Sequence, residues 1–245
     1  MHSIVSGLLF LWVVLPAYGQ LVDFLPTSTT GCVVEHSYFV LSYAEVHEQA
    51  EWVAYKLTDN MVVGQEKRTN AFMPDPAVPT GSATPGDYTG SGYDRGHLVP
   101  AGDMKHSPKS MLESFYMSNI APQAPAFNRG IWQFLEDKVR VWTGQYGQVY
   151  VVTGPVLESS LPTIGVNGVL IPAYFYKIVL TYPDKSPKLI AFLLPNREAY
   201  SPLSAFVCSV DDLEQITGID FFPGLPNAIE DRLESTKRPE GWGLE

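Results

Sequence analysis

The stretch SGYDRGHLVPAGD, residues 91–103, sets Asp94, Arg95 and His97 side by side between glycines. An imidazole can take a proton near neutral pH, and a guanidinium fork suits a phosphate or a carboxylate. About thirty residues later, Asn128, Trp132, Glu136 and Arg140 recur every four positions in FNRGIWQFLEDKVRVWTGQYG. On a helix each step of four drifts by about 40°, so the four form one stripe able to face a cleft. A histidine from a strand beside an oxygen ligand from a helix can hold a general base next to a hard cation, an arrangement open to metal-assisted phosphoryl chemistry among other readings. The chain offers no cluster of cysteines or histidines for zinc. Nor does it contain G-x-S-x-G, H-E-x-x-H or G-x-x-x-x-G-K-[ST].

Each of these residues also has a plain structural reading. His97 could be a hydrogen-bonder within a strand, and Asn128 a helix N-cap. Glu136 and Arg140 stand at i, i+4, the spacing of an ordinary helix-surface ion pair, and Arg95 could pair with Asp94.

The elements that would position them follow from periodicity. Residues 36–45 and 51–58 alternate apolar and polar side chains and read as strands. The proline- and glycine-rich segment 73–92 reads as a long loop that delivers the chain to Asp94, with GHLVPA as a short strand after it. Ser107 and Pro108 open a helix over 107–117. Residues 119–128 read as a proline-rich loop, and Asn128 opens a long helix whose apolar face is Ile131, Phe134, Leu135, Val139 and Trp142. Strands follow at 148–157, 169–182 and 188–195, then a capped helix at 209–218 ended by Gly218. With no βαβ rhythm, the order predicts one mixed α+β domain, residues 21–245, around a largely antiparallel sheet.

Residues 4–18 are an uncharged apolar run, which reads as a signal peptide within residues 1–20 and predicts a secreted or periplasmic protein. In an oxidising compartment Cys32 and Cys208 could form a disulfide; two buried free thiols are the other reading. The net charge of −10 argues against a polyanionic partner, but its distribution is uneven. Residues 211–245 hold nine acidic and three basic side chains, whereas 94–140 hold six basic and five acidic, which leaves room for a local positive groove.

GSGYDRGHLVPAGD followed by FYMSNIAPQAPAFNRGIWQFLED resembles the DNA/RNA non-specific endonucleases, the endonuclease G-like ββα-metal nucleases with a DRGH signature. The likeness continues through VYVVTGPVL, PAYFYKIVL and LEQITGIDFFPGLP, covering roughly residues 35–235. It implies a ββα-metal motif with His97 as general base and Asn128 as the direct protein ligand of Mg²⁺, or of Mn²⁺, with Glu136 reaching the ion through water. It also implies that Arg95, Arg140 and Arg68 stabilise phosphate charge, that Asn119 supports the site and that Asp94 belongs to it. DNA and RNA, cut without base reading to 5′-phosphate ends, are the substrates implied. A phosphodiesterase for small or lipid-linked substrates and a catalytically silent binding module remain as other readings, and a homodimer and an inhibitor protein remain open.

Overall fold

A computed structural model describes residues 24–182 and 187–244; the leader expected over residues 1–20 lies outside them. Its centre is a seven-stranded sheet built from β1 (Val33–Glu35), β2 (Phe39–Ala44), β3 (Gln49–Thr58), β6 (Gln148–Pro155), β9 (Tyr174–Thr181), β10 (Lys188–Pro195) and β11 (Val207–Cys208), in the order β1-β2-β3-β6-β9-β10-β11. Every neighbouring pair is antiparallel. Successive side chains point to opposite faces, and here both faces are covered. Val53, Tyr55, Val149, Val151, Val179 and Phe192 pack on one side, Trp52, Ala54, Tyr150, Val152, Ile178 and Ala191 on the other.

The first face carries α4 (Gln133–Tyr146), which buries Leu135, Val139 and Trp142 against it. The C-terminal residues strap this helix down: Trp142 donates its Nε1–H to the Trp242 carbonyl (2.8 Å), and Lys138 Nζ donates to that of Gly243 (3.0 Å). The opposite face carries α5 (Val210–Thr217) and α6 (Asn227–Glu234) through Val210, Leu213 and Leu233. α5 starts at a reciprocal Ser209–Asp212 cap and stops at Gly218, whose φ of +71° is the left-handed backbone that glycine reaches without strain.

Beside the sheet lies a two-stranded ribbon of β4 (Asp94–His97) and β5 (Ile120–Gln123), with His97 opposite Ile120 and Asp94 opposite Gln123. The DRGH residues are therefore themselves the strand, and Leu98 to Ala101 leave it, unlike the strand expected over GHLVPA. The expected loop over 119–128 contains β5; Pro122 costs the ladder one donor, which a narrow ribbon tolerates. Gly96 permits the pairing, since a Cβ there would lie 2.2 Å from the Gln123 side chain.

The connections carry two short helices, α1 (Asp59–Val62) after β3 and α2 (Pro108–Glu113) between β4 and β5, the latter capped by Ser107, whose Oγ accepts from Ser110 N–H (3.1 Å), and shorter than expected. The loop over 73–92 is held by two buried aspartates. Asp75 binds His36 (2.8 Å) and Ser118, and Asp87 accepts from Thr84 and from Asn167 in the hairpin of β7 (Thr163–Ile164) and β8 (Val169–Leu170). After β5 comes α3 (Pro125–Phe127), then a wide π-type turn, Asn128–Trp132, kinked at Gly130 (φ −110°, ψ −112°) before α4 begins.

No disulfide joins the cysteines: Cys32 and Cys208 are both free thiols. Cys32 leads into β1 and Cys208 lies in β11, the two edges of the sheet. Six strand spacings of about 4.8 Å separate those edges by roughly 29 Å, far beyond the roughly 7 Å that a bridge spans between Cα atoms.

Candidate active site

The ribbon, the π-turn and α4 converge on an open cleft of about 320 Å³. Arg68, Arg95, His97, Asn128, Glu136 and Arg140, six of the eight residues singled out from the sequence, line it together with Arg129. A second groove of about 370 Å³ shares Arg68, Arg95, Asn128 and Arg129 with the first and adds Asp94 and the aromatic rings of Phe72 and Tyr93. Asn119 lines neither. Fully buried, it donates Nδ2–H to the carbonyls of Val99 (3.0 Å) and Ser114 (2.8 Å) and accepts from Val99 N–H (2.9 Å), which fixes the backbone just beyond His97.

The last residue of β4, His97, is buried against Phe115 (ring centroids 4.9 Å apart, edge-on) and Phe72 (5.5 Å). Burial, with the Arg68 charge beside it, pushes its imidazole down to about 3, so the ring is neutral at physiological pH. Its Nε2 is enclosed and has no hydrogen-bond partner among the described residues, which sets aside the reading of His97 as a satisfied structural hydrogen-bonder.

Asn128 is not an N-cap: its own backbone is helical and its side chain makes no capping bond. It donates Nδ2–H to Asp94 Oδ2 (2.9 Å), and Asp94 in turn takes both arms of Arg129 at 2.8 and 2.6 Å. These bonds hold the Asp94 carboxyl below the usual carboxylate range, although desolvation opposes them. Because the amide nitrogen is committed to Asp94, Asn128 Oδ1 is the atom left as an acceptor. A neutral amide oxygen with Glu136 on the next turns, and no thiolate or second imidazole lining the cleft, is a donor set that fits Mg²⁺ or Mn²⁺.

Arg140 does not pair with Glu136 as a surface i, i+4 bridge. It binds Asp103 (2.7 Å) and Asp137, and Asp103 is fully buried and accepts the Tyr55 hydroxyl of β3 (2.8 Å). Nor does Arg95 pair with Asp94; its guanidinium lies over the Phe72 ring (5.1 Å) and donates to the Pro85 carbonyl (3.2 Å). Arg68 lies over Phe115 (5.0 Å) and donates to Asn70 Oδ1 (2.8 Å).

Glu136 is half-buried, and desolvation holds its carboxyl above the usual carboxylate range, with Lys177 and Arg140 pulling it part of the way back. Lys177, central in β9 and fully buried, has the reverse tendency: burial lowers it and Glu136 raises it. Its ammonium donates to Thr153 Oγ1 (2.6 Å) and sits 4.7 Å from the centre of the Trp132 ring. Trp132, placed by helical spacing on the chemical stripe, is thus fully buried: the π-turn changes the angular step and rotates it toward the sheet. Phe134, expected on the apolar face, is 52% exposed, because within the regular α4 it stands roughly 80–140° around from Leu135, Val139 and Trp142, at the edge of their stripe.

Residues 23–228 match the family described as DNA/RNA non-specific endonuclease. The chain belongs to that family. It is 38% identical over 203 residues to the zebrafish (Danio rerio) protein "Nuclease EXOG, mitochondrial" and 35% identical over 219 residues to the human (Homo sapiens) one. Those alignments cover 76% and 82% of this chain but only 59% of each relative, so the chain spans a little over half of their length. The fold resembles a chain in the structure described as "Crystal structure of the EndoG/EndoGI complex: Mechanism of EndoG inhibition" (TM-score 0.78, 32% identity, 85% of this chain and 92% of that one).

These relatives overturn the expectation of a secreted or periplasmic endonuclease, because the zebrafish and human nucleases are mitochondrial. Hydropathy registers an apolar N-terminal run without telling one compartment from another. Arg129, Asp103, Tyr55 and Lys177 are the site residues that sequence reasoning missed. Arg129 stands next to Asn128 in N-R-G and Asp103 ends the opening stretch, so both were within reach; Tyr55 and Lys177 look like ordinary strand positions.

Proposed function

We propose that this protein is a divalent-metal-dependent, sugar-non-specific endonuclease that hydrolyses DNA and RNA to 5′-phosphate and 3′-hydroxyl ends. The observation that carries this reading is the convergence, in one cleft, of a neutral buried imidazole, an amide oriented by Asp94, and four arginines. Asn128 Oδ1 would hold Mg²⁺, with Glu136 reaching it through water, and the ion supplies stabilisation of charge on the phosphate and on the departing 3′ oxygen.

His97 removes a proton from the attacking water as the water oxygen bonds to phosphorus and the bond from phosphorus to O3′ breaks, and O3′ takes a proton from solvent water to leave as the 3′-hydroxyl. Since Nε2 is enclosed, Nδ1 is the ring nitrogen that receives that proton. Arg68, Arg95 and Arg140 hold the non-bridging oxygens, with Arg140 locked in place by Asp103. Such a set touches phosphate and sugar and leaves the bases unread. The likeness to a chain solved with an inhibitor protein brings a protein inhibitor into the same reading.

The test is degradation of plasmid DNA and of RNA by wild type and His97→Ala. The expected loss is about 10²–10⁴-fold, with an unchanged circular dichroism spectrum. EDTA should silence the wild type, and added Mg²⁺ should restore it. A His97→Ala enzyme of near-normal rate, or activity insensitive to EDTA, would overturn the reading; cleavage of dinucleotides but not of polymers would move it to a small-substrate phosphodiesterase.

A further inference from the structure

On the face of the sheet opposite the cleft, Asp211 and Glu214 of α5 and Glu234 of α6 bring one carboxylate oxygen each to within 4.8 Å of one another. Two oxygens bound to the same Ca²⁺ at the usual 2.3–2.6 Å are separated by no more than about 5 Å, so the trio is already within reach of a single ion. Asp211 and Glu214 are three apart in the helix and share a side, while Glu234 approaches from the neighbouring helix.

Acidic side chains often cluster on surfaces without binding anything. Glu234 differs, since only 4% of its surface is exposed and its Oε1 has no hydrogen-bond partner among the described residues. Glu214 spends Oε1 on the Phe221 N–H (2.8 Å) and keeps its other oxygen. Lys237, the cation paired with α5, goes to Asp212 (3.1 Å), outside the trio. A carboxylate enclosed beside two others, with no cation paired to any of them among the described residues, is costly unless a proton or a metal ion joins it.

We propose that Asp211, Glu214 and Glu234 form a Ca²⁺ site that clamps α5 to α6, separate from the cleft and independent of its chemistry. The ligands are all anionic oxygens contributed by two helices, and the ion takes its remaining positions from water. Such a mixed, open shell suits the adaptable coordination of Ca²⁺ better than the near-ideal octahedron Mg²⁺ demands. In support, burial followed by repulsion from Glu214, Glu230, Asp211 and Asp220 pushes the Glu234 carboxyl up to about 9.

The experiment uses the full chain carrying Asn128→Ala, which removes the cleft's metal ligand, stripped of metal and titrated with CaCl₂ by calorimetry and by thermal melting. One Ca²⁺ should bind and raise Tm. Adding Glu234→Gln should weaken binding at least about tenfold and abolish the rise, while the metal-free Tm stays equal or climbs, because the amide removes the repelled carboxyl. If Glu234→Gln does not fold, the exposed Asp211→Asn serves instead, with the same loss of binding expected. The proposal is overturned if the parent binds no Ca²⁺ up to millimolar concentration, if affinity survives the substitution, or if Mg²⁺ binds more tightly than Ca²⁺.

Discussion

At the scale of single residues, the cleft depends on groups that never touch its surface. Lys177 supplies a buried positive charge beneath Glu136 and lowers its proton affinity. Removing that charge in Lys177→Met should leave Glu136 protonated at higher pH, so activity at pH 7 should fall about tenfold and recover in part toward pH 9; a pH–rate profile shifted to the alkaline side checks this. His97 makes a second prediction. Its imidazole is pushed down to about 3 in the fold and sits near 6.5 when unfolded, so between those values the unfolded chain binds the extra proton. Stability from this residue is therefore full above pH 6.5 and is lost as pH falls toward 3. Urea melts at pH 4 and pH 7 should differ more for wild type than for His97→Phe. What could be read beforehand at this scale was the set of polar residues within two contiguous motifs. Tyr55 and Lys177 could not be read, because they reach the site from strands whose alternation marks them only as inward-facing.

At the scale of elements, near-continuous apolar runs identified the central strands because both faces of the sheet are buried, and the α5 boundaries followed from its Ser209 cap and Gly218 stop. The ribbon was misplaced by a few residues, since Gly96 and Pro122 obscure a strand pattern that only their mutual pairing creates. The π-turn was invisible for a related reason: a regular helical period was assumed through Gly130, and the assumption put Trp132 on one stripe with Asn128. Gly96→Ala tests how far the ribbon governs chemistry. Its new Cβ would meet the Gln123 side chain at 2.2 Å and force β4 from β5, carrying His97 with it. Activity should drop at least about tenfold and stability by about 1–3 kcal/mol, measured by plasmid cleavage and denaturant melts.

At the scale of the whole molecule, the even cysteine count suggested a bridge that topology forbids, because nothing in a sequence tells how many strands lie between its two ends. Charge was more legible. The acidic stretch 211–234 folds onto one face as α5 and α6, while Arg68, Arg95, Arg129 and Arg140 gather on the other. A protein of net charge −10 can then bind a polyanion locally, and each phosphate neutralised adds about −0.9 to the slope of log affinity against log salt. We expect a slope between about −2 and −4 for duplex DNA binding by the His97→Ala protein, measured by fluorescence anisotropy; a flat response would show that the arginines are not engaged.

The sheet that separates these two faces does more than present side chains to them. It keeps opposite charges on opposite flanks, giving the molecule a permanent electrical heading. On the proposed endonuclease reading, a nucleic acid drifting in from the α5–α6 flank would be repelled before contact, while one arriving from the other side would be drawn toward the groove, so diffusion itself would sort the encounters that can lead to a cut.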